Sequence, residues 1–309
     1  MPRRGRWTRL RRLAAVGVLG VLVWRLGTGP FLAGFAQVDV WSLVAGTGLA
    51  VVTTLCCAWR WMLVSRGLGV AVSLPSAVAA CYRSQFVNLA TPGGVLGDVD
   101  RAVRHGRGAQ DTSSGLRSVL WDRAAGQAVL LATAGALLVL LPSPVRDGAR
   151  TAGIALVAVT LALLGVVLVF RRRPPSVSVS AVSRVRADVR AVGVSRHSWS
   201  WILLASAVAL SCHVLTFFVA ARTAGTGGAT VQVLPLALLV ILAMGLPNVA
   251  GWGPREGAAA WAFGAGGLGA QQGVATAVVY GVMVFVGALP GAIVLLAHVI
   301  RRDRRVPGG

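Results

Sequence analysis

The chain has 309 residues, of which 56% are apolar and only 13% charged, with a mean hydropathy of +0.74 and a formal charge of +21. This balance excludes a soluble globular domain and describes an integral membrane protein. The charge does not imply a nucleic-acid partner, because the basic residues, all arginine, sit in blocks at the ends of apolar runs.

Residues 40–59, 124–145, 151–170, 197–221, 223–254 and 257–300 contain no Asp, Glu, Lys or Arg. About 20 apolar residues span a bilayer as helix, so each run is long enough. Lipid offers unpaired backbone N–H and C=O groups no partner, and the alternation of a barrel strand is absent. The expected fold is all-α: a polytopic membrane helix bundle forming a single integral membrane domain over residues 1–309.

The basic N-terminus, residues 1–12, and the apolar stretch after it have the layout of a secretory signal, read here as an uncleaved first span because further spans follow. The positive-inside rule puts the blocks Arg3 to Arg12, Arg101 to Arg117, Arg171 to Arg196 and Arg301 to Arg305 on the cytoplasmic side. Residues 13–35 then cross outward and 40–64 return. Segment 74–92 precedes a basic run that also belongs inside, so it is not a simple crossing. Residues 118–141 go out, 151–170 come back, 200–221 go out, and 274–299 make the last crossing to the basic tail 300–309. Whatever lies between 232 and 268 leaves and returns on the outer side. The expectation is six full spans and two re-entrant segments in the cell membrane, with both termini cytoplasmic. The basic loop 171–199, with seven arginines, reads as a cytoplasmic retention signal and can also touch anionic membrane lipids.

Both re-entrant segments are broken by proline and glycine. TPGGVLGDVDR, residues 91–101, and LPNVAGWGPREG, residues 246–257, each run proline, glycines, then a carboxylate beside an arginine. That placement is expected of an inverted-topology repeat, in which broken helices from opposite faces meet near the midplane and form a substrate site. Glycines let backbone turn at membrane depth where it is buried or lines a cavity, and charges mark that cavity.

In the second motif Pro254 suits a first helical position, and a helix N-terminus attracts anions. Arg255 is the candidate for holding a phosphate. Glu256, the only glutamate of the chain, either caps its own helix and pairs with a neighbouring arginine or serves function. Asp98 with Arg101 is the corresponding pair, or an ion pair at a helix end. Asp122 and Arg123 point about 100° apart on a helix and so serve different partners. Gln85 and Asn88 either satisfy backbone freed by the break or face substrate. His213 either relays protons or bonds a neighbouring helix. Cys56, Cys57, Cys81 and Cys212 read as small core fillers. No Ser–His–Asp set, phosphate-binding loop or metal-ligand spacing occurs, so no enzyme activity, metal or cofactor is expected.

The blocks AWRWMLVSRGLGVAVSLPSAVAACYRSQFVNLATPGGVLGDVDRAVRHGR, SVLWDRAAGQAVLL and LPNVAGWGPREGAAAW resemble, in order and spacing, the lysylphosphatidylglycerol synthase transmembrane family, the flippase-like membrane domain. The resemblance implies a bundle with re-entrant helices that moves lipids or lipid-linked intermediates between leaflets. By position it implicates Asn88, Pro92, Gly93, Gly94, Gly97, Asp98, Arg101, Asp122, Arg123, Pro247, Gly251, Gly253, Arg255, Glu256 and Gly257 in substrate binding. Thr91, residues 248–250 and Asp100 depart from the family pattern, which leaves the headgroup open. Full-length synthases of this kind carry a soluble aminoacyl-transferring domain after the membrane half. This sequence ends in RRDRRVPGG, so synthase activity is not expected.

The expected function is therefore a flippase or transporter of an anionic phospholipid or lipid-linked intermediate. The headgroup would be held by helix N-termini with Arg101, Arg123 and Arg255, and Asp98, Asp122 and Glu256 would balance charge. A membrane enzyme or accessory subunit acting on polyprenyl-linked phosphate is the alternative, and a non-catalytic assembly partner a third. Expected partners are the lipid substrate, anionic lipids at the basic loops and a membrane or glycosyltransferase protein, with no nucleic acid.

Overall fold

A computed structural model describes residues 24, 26–91, 93–108, 112–140, 146–172, 185, 187–189, 196–246, 248 and 251–303. The basic N-terminus, most of the expected first span and of the loop 171–199, Pro92, Pro247 and the tail from residue 304 lie outside them. Among the described residues are helices and no strand: α1 (Gly29–Ala36), α2 (Val40–Gly67), α3 (Leu74–Ala90), α4 (Leu96–Gly108), α5 (Thr112–Leu140), α6 (Arg146–Arg172), α7 (Arg196–Thr223), α8 (Thr230–Ala243), α9 (Pro254–Ala265), α10 (Ala270–Ala288) and α11 (Pro290–Asp303). The all-helical expectation holds.

Among the described residues, four segments are long and apolar enough to cross a membrane: Val40–Gly67, Ser113–Leu140, Ser198–Thr223 and Ala270–Ala297. They match four of the six expected crossings. The expected crossing 151–170 falls in α6, whose described apolar stretch, Gly153–Val167, is shorter. On α2, the exposed Trp41 and Trp59 stand 18 residues apart. That is ~27 Å at ~1.5 Å per residue, close to the ~30 Å hydrocarbon thickness between the two interfaces where tryptophan gathers.

The long helices begin and end where the sequence provides for it. The Asp39 carboxylate accepts the Ser42 N–H at 2.7 Å and the Asp39 N–H donates to Ser42 Oγ at 3.2 Å, a reciprocal cap that opens α2. That backbone contact holds the Asp39 carboxyl below its ordinary pKa. At the end of α3, Thr91 turns to an extended conformation, φ −119°, as the residue before a proline must.

Four of the short helices form two pairs, and each pair has its own core. Around α3 and α4, Trp61 and Ala58 of α2, Ala77 and Cys81 of α3, Ala102 of α4 and Val119 of α5 form one buried cluster. Around α8 and α9, Phe217 of α7, Leu236 and Val240 of α8, Phe263 of α9 and Tyr280 and Met283 of α10 form another. Each broken pair is thus clasped by two long helices, α2 and α5 for the first, α7 and α10 for the second. Helices α2 and α7 pack extensively on each other and join the halves. At 17 and 14 residues, α3 and α8 extend ~25 and ~21 Å by the helical rise.

Candidate functional site

The first break lies between α3 and α4. Asn88, in the last turn of α3, accepts the Gly97 N–H on its Oδ1 at 2.8 Å and donates through Nδ2 to Asp98 at 3.2 Å. The side-chain amide therefore supplies an acceptor to a donor at the start of α4, where helical partners run out. This is the backbone-satisfying role left open for Asn88. Gln85 instead accepts a hydrogen bond from Thr54 of α2 at 3.0 Å. Gly97 lies so close to the Ser84 backbone that a Cβ there would overlap it, which seats α4 on α3.

Asp98 and Asp122 organise the charges. Asp122, 2% exposed, accepts Arg60 Nε at 2.7 Å on one oxygen and Arg101 Nη2 at 3.0 Å on the other. Arg60 also donates to Ser206 of α7 at 3.1 Å. Asp98 pairs with Arg123 at 2.7 Å and lies 3.5 Å from Arg101, while Ser84 Oγ donates to it at 2.8 Å. Arg101 also lies over the Trp61 ring, 4.7 Å from its centroid. Three guanidiniums and two carboxylates from α2, α4 and α5 are thus locked into one chain, with polar support from α3 and α7. Removing a partner from so buried a pair costs roughly 3–5 kcal/mol. As helical geometry requires, Asp122 and Arg123 serve different partners. The expected Asp98–Arg101 pair is the longer of Asp98's two ion pairs.

Arg60 is the site residue that sequence reasoning missed. The end of the expected returning span 40–64 places it near a membrane surface, yet its guanidinium is buried. An arginine seven residues before a helix end is indistinguishable by charge pattern from one that snorkels. Its relation to Asp122 becomes visible only once α2 and α5 are side by side.

The second break lies between α8 and α9. Glu256, fully buried, accepts the Gly253 N–H at 2.7 Å and Arg255 Nε at 2.8 Å. Glycine has no side chain, so only the glutamate half of a capping box exists here. Arg255, 4% exposed, is otherwise surrounded by the Trp252 and Tyr280 rings at 5.5 and 5.8 Å. Of the two roles considered for Glu256, the capping and pairing one is the one these contacts display. The Tyr280 hydroxyl shares a hydrogen bond of 2.9 Å with His213 Nδ1, so His213 does bond a neighbouring helix. Gly257 lies in the first turn of α9, its N–H donating to the Gly253 carbonyl at 2.9 Å.

The two breaks touch. The Gly93 N–H donates to the Asn248 carbonyl at 2.8 Å, and the Gly251 N–H donates to Asn248 Oδ1 at 2.9 Å. Gly94 abuts the Asn248 side chain, and Gly251 faces Leu89. Gly93, Gly94, Gly251 and Gly253 all have positive φ. Pro92 and Pro247, also expected at the site, lie outside the described residues. Helix α5 presents Arg123, 53% exposed, against Asp98, and one turn further Gln127, next to Gly245 just past the end of α8. Of the three arginines expected to meet substrate, Arg123 is open while Arg101 and Arg255 are enclosed by carboxylates and aromatic rings. Among the described residues no group of His, Cys, Asp and Glu has the arrangement of a metal site. Cys81 and Cys212 are buried, Cys56 and Cys57 partly so, and all four are free.

No curated protein matches the chain. The sequence model of the lysylphosphatidylglycerol synthase TM region matches residues 11–291, a stretch that holds both breaks, the Asp98 and Asp122 network and the Arg255–Glu256 pair. The chain belongs to this family of multi-pass membrane proteins.

Proposed function

We propose that this protein moves an anionic phospholipid, or a lipid-linked phosphate, between the leaflets of the cell membrane. The observation that carries the reading is the contact of the two helix breaks at Gly93 and Asn248, with the open guanidinium of Arg123 paired to Asp98 in the first turn of the helix that follows the first break. Irregular backbone at membrane depth is tolerated only where it is buried or lines a cavity, and transporters of broken-helix architecture bind substrate where such breaks meet. On this reading α3–α4 and α8–α9 are re-entrant pairs entering from opposite faces. The arginine blocks keep both termini cytoplasmic. A phosphodiester suits the guanidinium fork, which binds its two free oxygens side by side. The acyl chains stay in lipid. Arg101 and Arg255 build the scaffold, while Arg123 meets the headgroup.

The test is reconstitution into vesicles carrying a fluorescent phosphatidylglycerol or a fluorescent phosphatidylcholine, with leaflet exchange read by quenching from outside. Faster exchange of the anionic lipid than in protein-free vesicles, lost in Arg123→Gln, is the expected result. Exchange no faster than in protein-free vesicles removes the reading.

A further inference from the structure

Asp98 has four polar partners. Arg123 binds one of its oxygens at 2.7 Å, Ser84 donates to the other at 2.8 Å, Asn88 donates at 3.2 Å, and Arg101 Nη2 lies at 3.5 Å. Arg123 is in the opposite position: Asp98 is its only ion-pair partner among the described residues, and half of its side chain is exposed. If the Asp98–Arg123 contact opens, the carboxylate keeps three polar partners while the guanidinium keeps no ion-pair partner among the described residues. The contact is therefore readily opened, since a half-exposed guanidinium is hydrated on release while the carboxylate stays paired. Across the network three guanidiniums face two carboxylates, Asp98 and Asp122, so one positive charge is uncompensated within it.

From this we infer that Asp98 is a resident stand-in for substrate: a lipid phosphodiester displaces it from Arg123, and Ser84, Asn88 and Arg101 retain the released carboxylate. The inference takes its ligand class from the translocator reading and adds a mechanism of admission. A phosphodiester has the single negative charge and paired oxygens of a carboxylate, so the exchange conserves the geometry at Arg123 and neutralises the surplus positive charge. The approach is apolar, as a lipid ligand requires. Leu116 and Leu120 lie on the Arg123 face of α5 at helical spacing, Leu96 and Val99 stand exposed on α4, and all four side chains are about half exposed. Because Asp98 stands in the first turn of α4, its release from α5 unties the end of that helix nearest the junction of the breaks. Headgroup binding is thereby linked to movement of α4 against α5.

The experiment is equilibrium binding to the purified full chain in a neutral detergent, using dioctanoyl phosphatidylglycerol, dioctanoyl phosphatidylcholine and inorganic phosphate, with melting temperature measured alongside. Phosphatidylglycerol is expected to bind best. Arg123→Gln weakens it about 10-fold or more, as loss of a charge-assisted contact does, and Arg123→Lys falls between Gln and the natural residue. Asp98→Asn, which removes the competitor, tightens binding several-fold. Should Asp98→Asn fail to fold, the Arg123 series decides the matter, since this side chain is exposed and Asp98 keeps partners without it. Arg123→Gln binding like the natural chain, folded Asp98→Asn weakening binding as much as Arg123→Gln, or equal affinity for inorganic phosphate each overturns the exchange. Binding in the expected order without leaflet exchange in vesicles supports the exchange and removes the translocator reading instead.

Discussion

Gly93 and Asn248 are joined by a backbone hydrogen bond of 2.8 Å, each in the break of a different helix pair. The two breaks therefore satisfy one another. A donor freed where α3 ends meets an acceptor freed where α8 ends, and the Asn248 side chain takes the next free donor, at Gly251. Backbone groups of the two breaks, which would cost free energy if buried unpaired, are matched here by each other. The junction is also the place where a small motion of either pair is felt by both.

Gly94→Ala and Gly253→Ala are expected to impair function more than folding. At Gly94 the backbone has φ +65° and a Cβ would stand 2.8 Å from Asn248 Nδ2. The left-handed conformation costs a non-glycine residue about 1–2 kcal/mol. Gly253, with φ +114° and ψ −85°, lies where only glycine is at ease, and strain there costs about 1–3 kcal/mol. Melting temperature and leaflet exchange measured together check this: both variants should fold with lowered melting temperature and lose most exchange. Normal exchange in both removes the break from the mechanism.

Asp122→Asn tests whether the inner network is scaffold. The change leaves Arg60 and Arg101 buried with no carboxylate between them, a loss of roughly 3–5 kcal/mol. Arg123→Gln should cost far less, since its pair with Asp98 is half in the open and exposed pairs contribute about 0–1 kcal/mol. The expected order in a thermal melt is thus Asp122→Asn far below Arg123→Gln. A reversal would move Arg123 into the scaffold and leave Asp122 free for substrate.

Much of this was legible in the sequence, and the remainder was hidden for identifiable reasons. Apolar run length and the absence of strand alternation give an all-helical membrane bundle. Proline followed by glycines locates both breaks, because these residues alone fix or free φ where helix must stop. The charges at the breaks were visible as types but not as partners. Asp98 has an arginine three residues on, yet its shorter ion pair comes from α5, and Arg60 lies 62 positions from its carboxylate. Charge pattern reports which end of a helix a residue occupies, not which way it faces. Asn248 was legible only as a departure from a family pattern, although its carbonyl and amide join the two halves.

The proposed topology yields a labelling prediction. On a background with Cys56, Cys57, Cys81 and Cys212 replaced, Ser73→Cys before α3 and Ala229→Cys before α8 place thiols at two exposed turns. An impermeant maleimide added outside intact cells should modify position 229 and spare 73, with the reverse in inverted vesicles. Both positions reacting from one side would show that the two pairs enter from the same face.

Arg255 and Glu256 allow charge and structure to be separated. The two are adjacent in sequence, buried, and bound to each other, and Glu256 also takes the Gly253 N–H. Arg255→Gln leaves a buried carboxylate with one donor, so a loss of roughly 3–5 kcal/mol is expected. Glu256→Gln strands the guanidinium between the Trp252 and Tyr280 rings and should cost a similar amount, although glutamine can still accept from Gly253. In the double variant no charge remains and the cap survives, so stability should return most of the way, giving a large favourable coupling between the two sites. Gly281→Ala supplies an independent check, because a Cβ there would stand 2.8 Å from Arg255 Cζ and crowd the pair. It should lower the melting temperature without changing affinity for phosphatidylglycerol. If instead Arg255→Gln melts like the natural chain and loses phosphatidylglycerol binding, the guanidinium belongs to the headgroup site and the outer pair plays the part assigned here to Asp98 and Arg123.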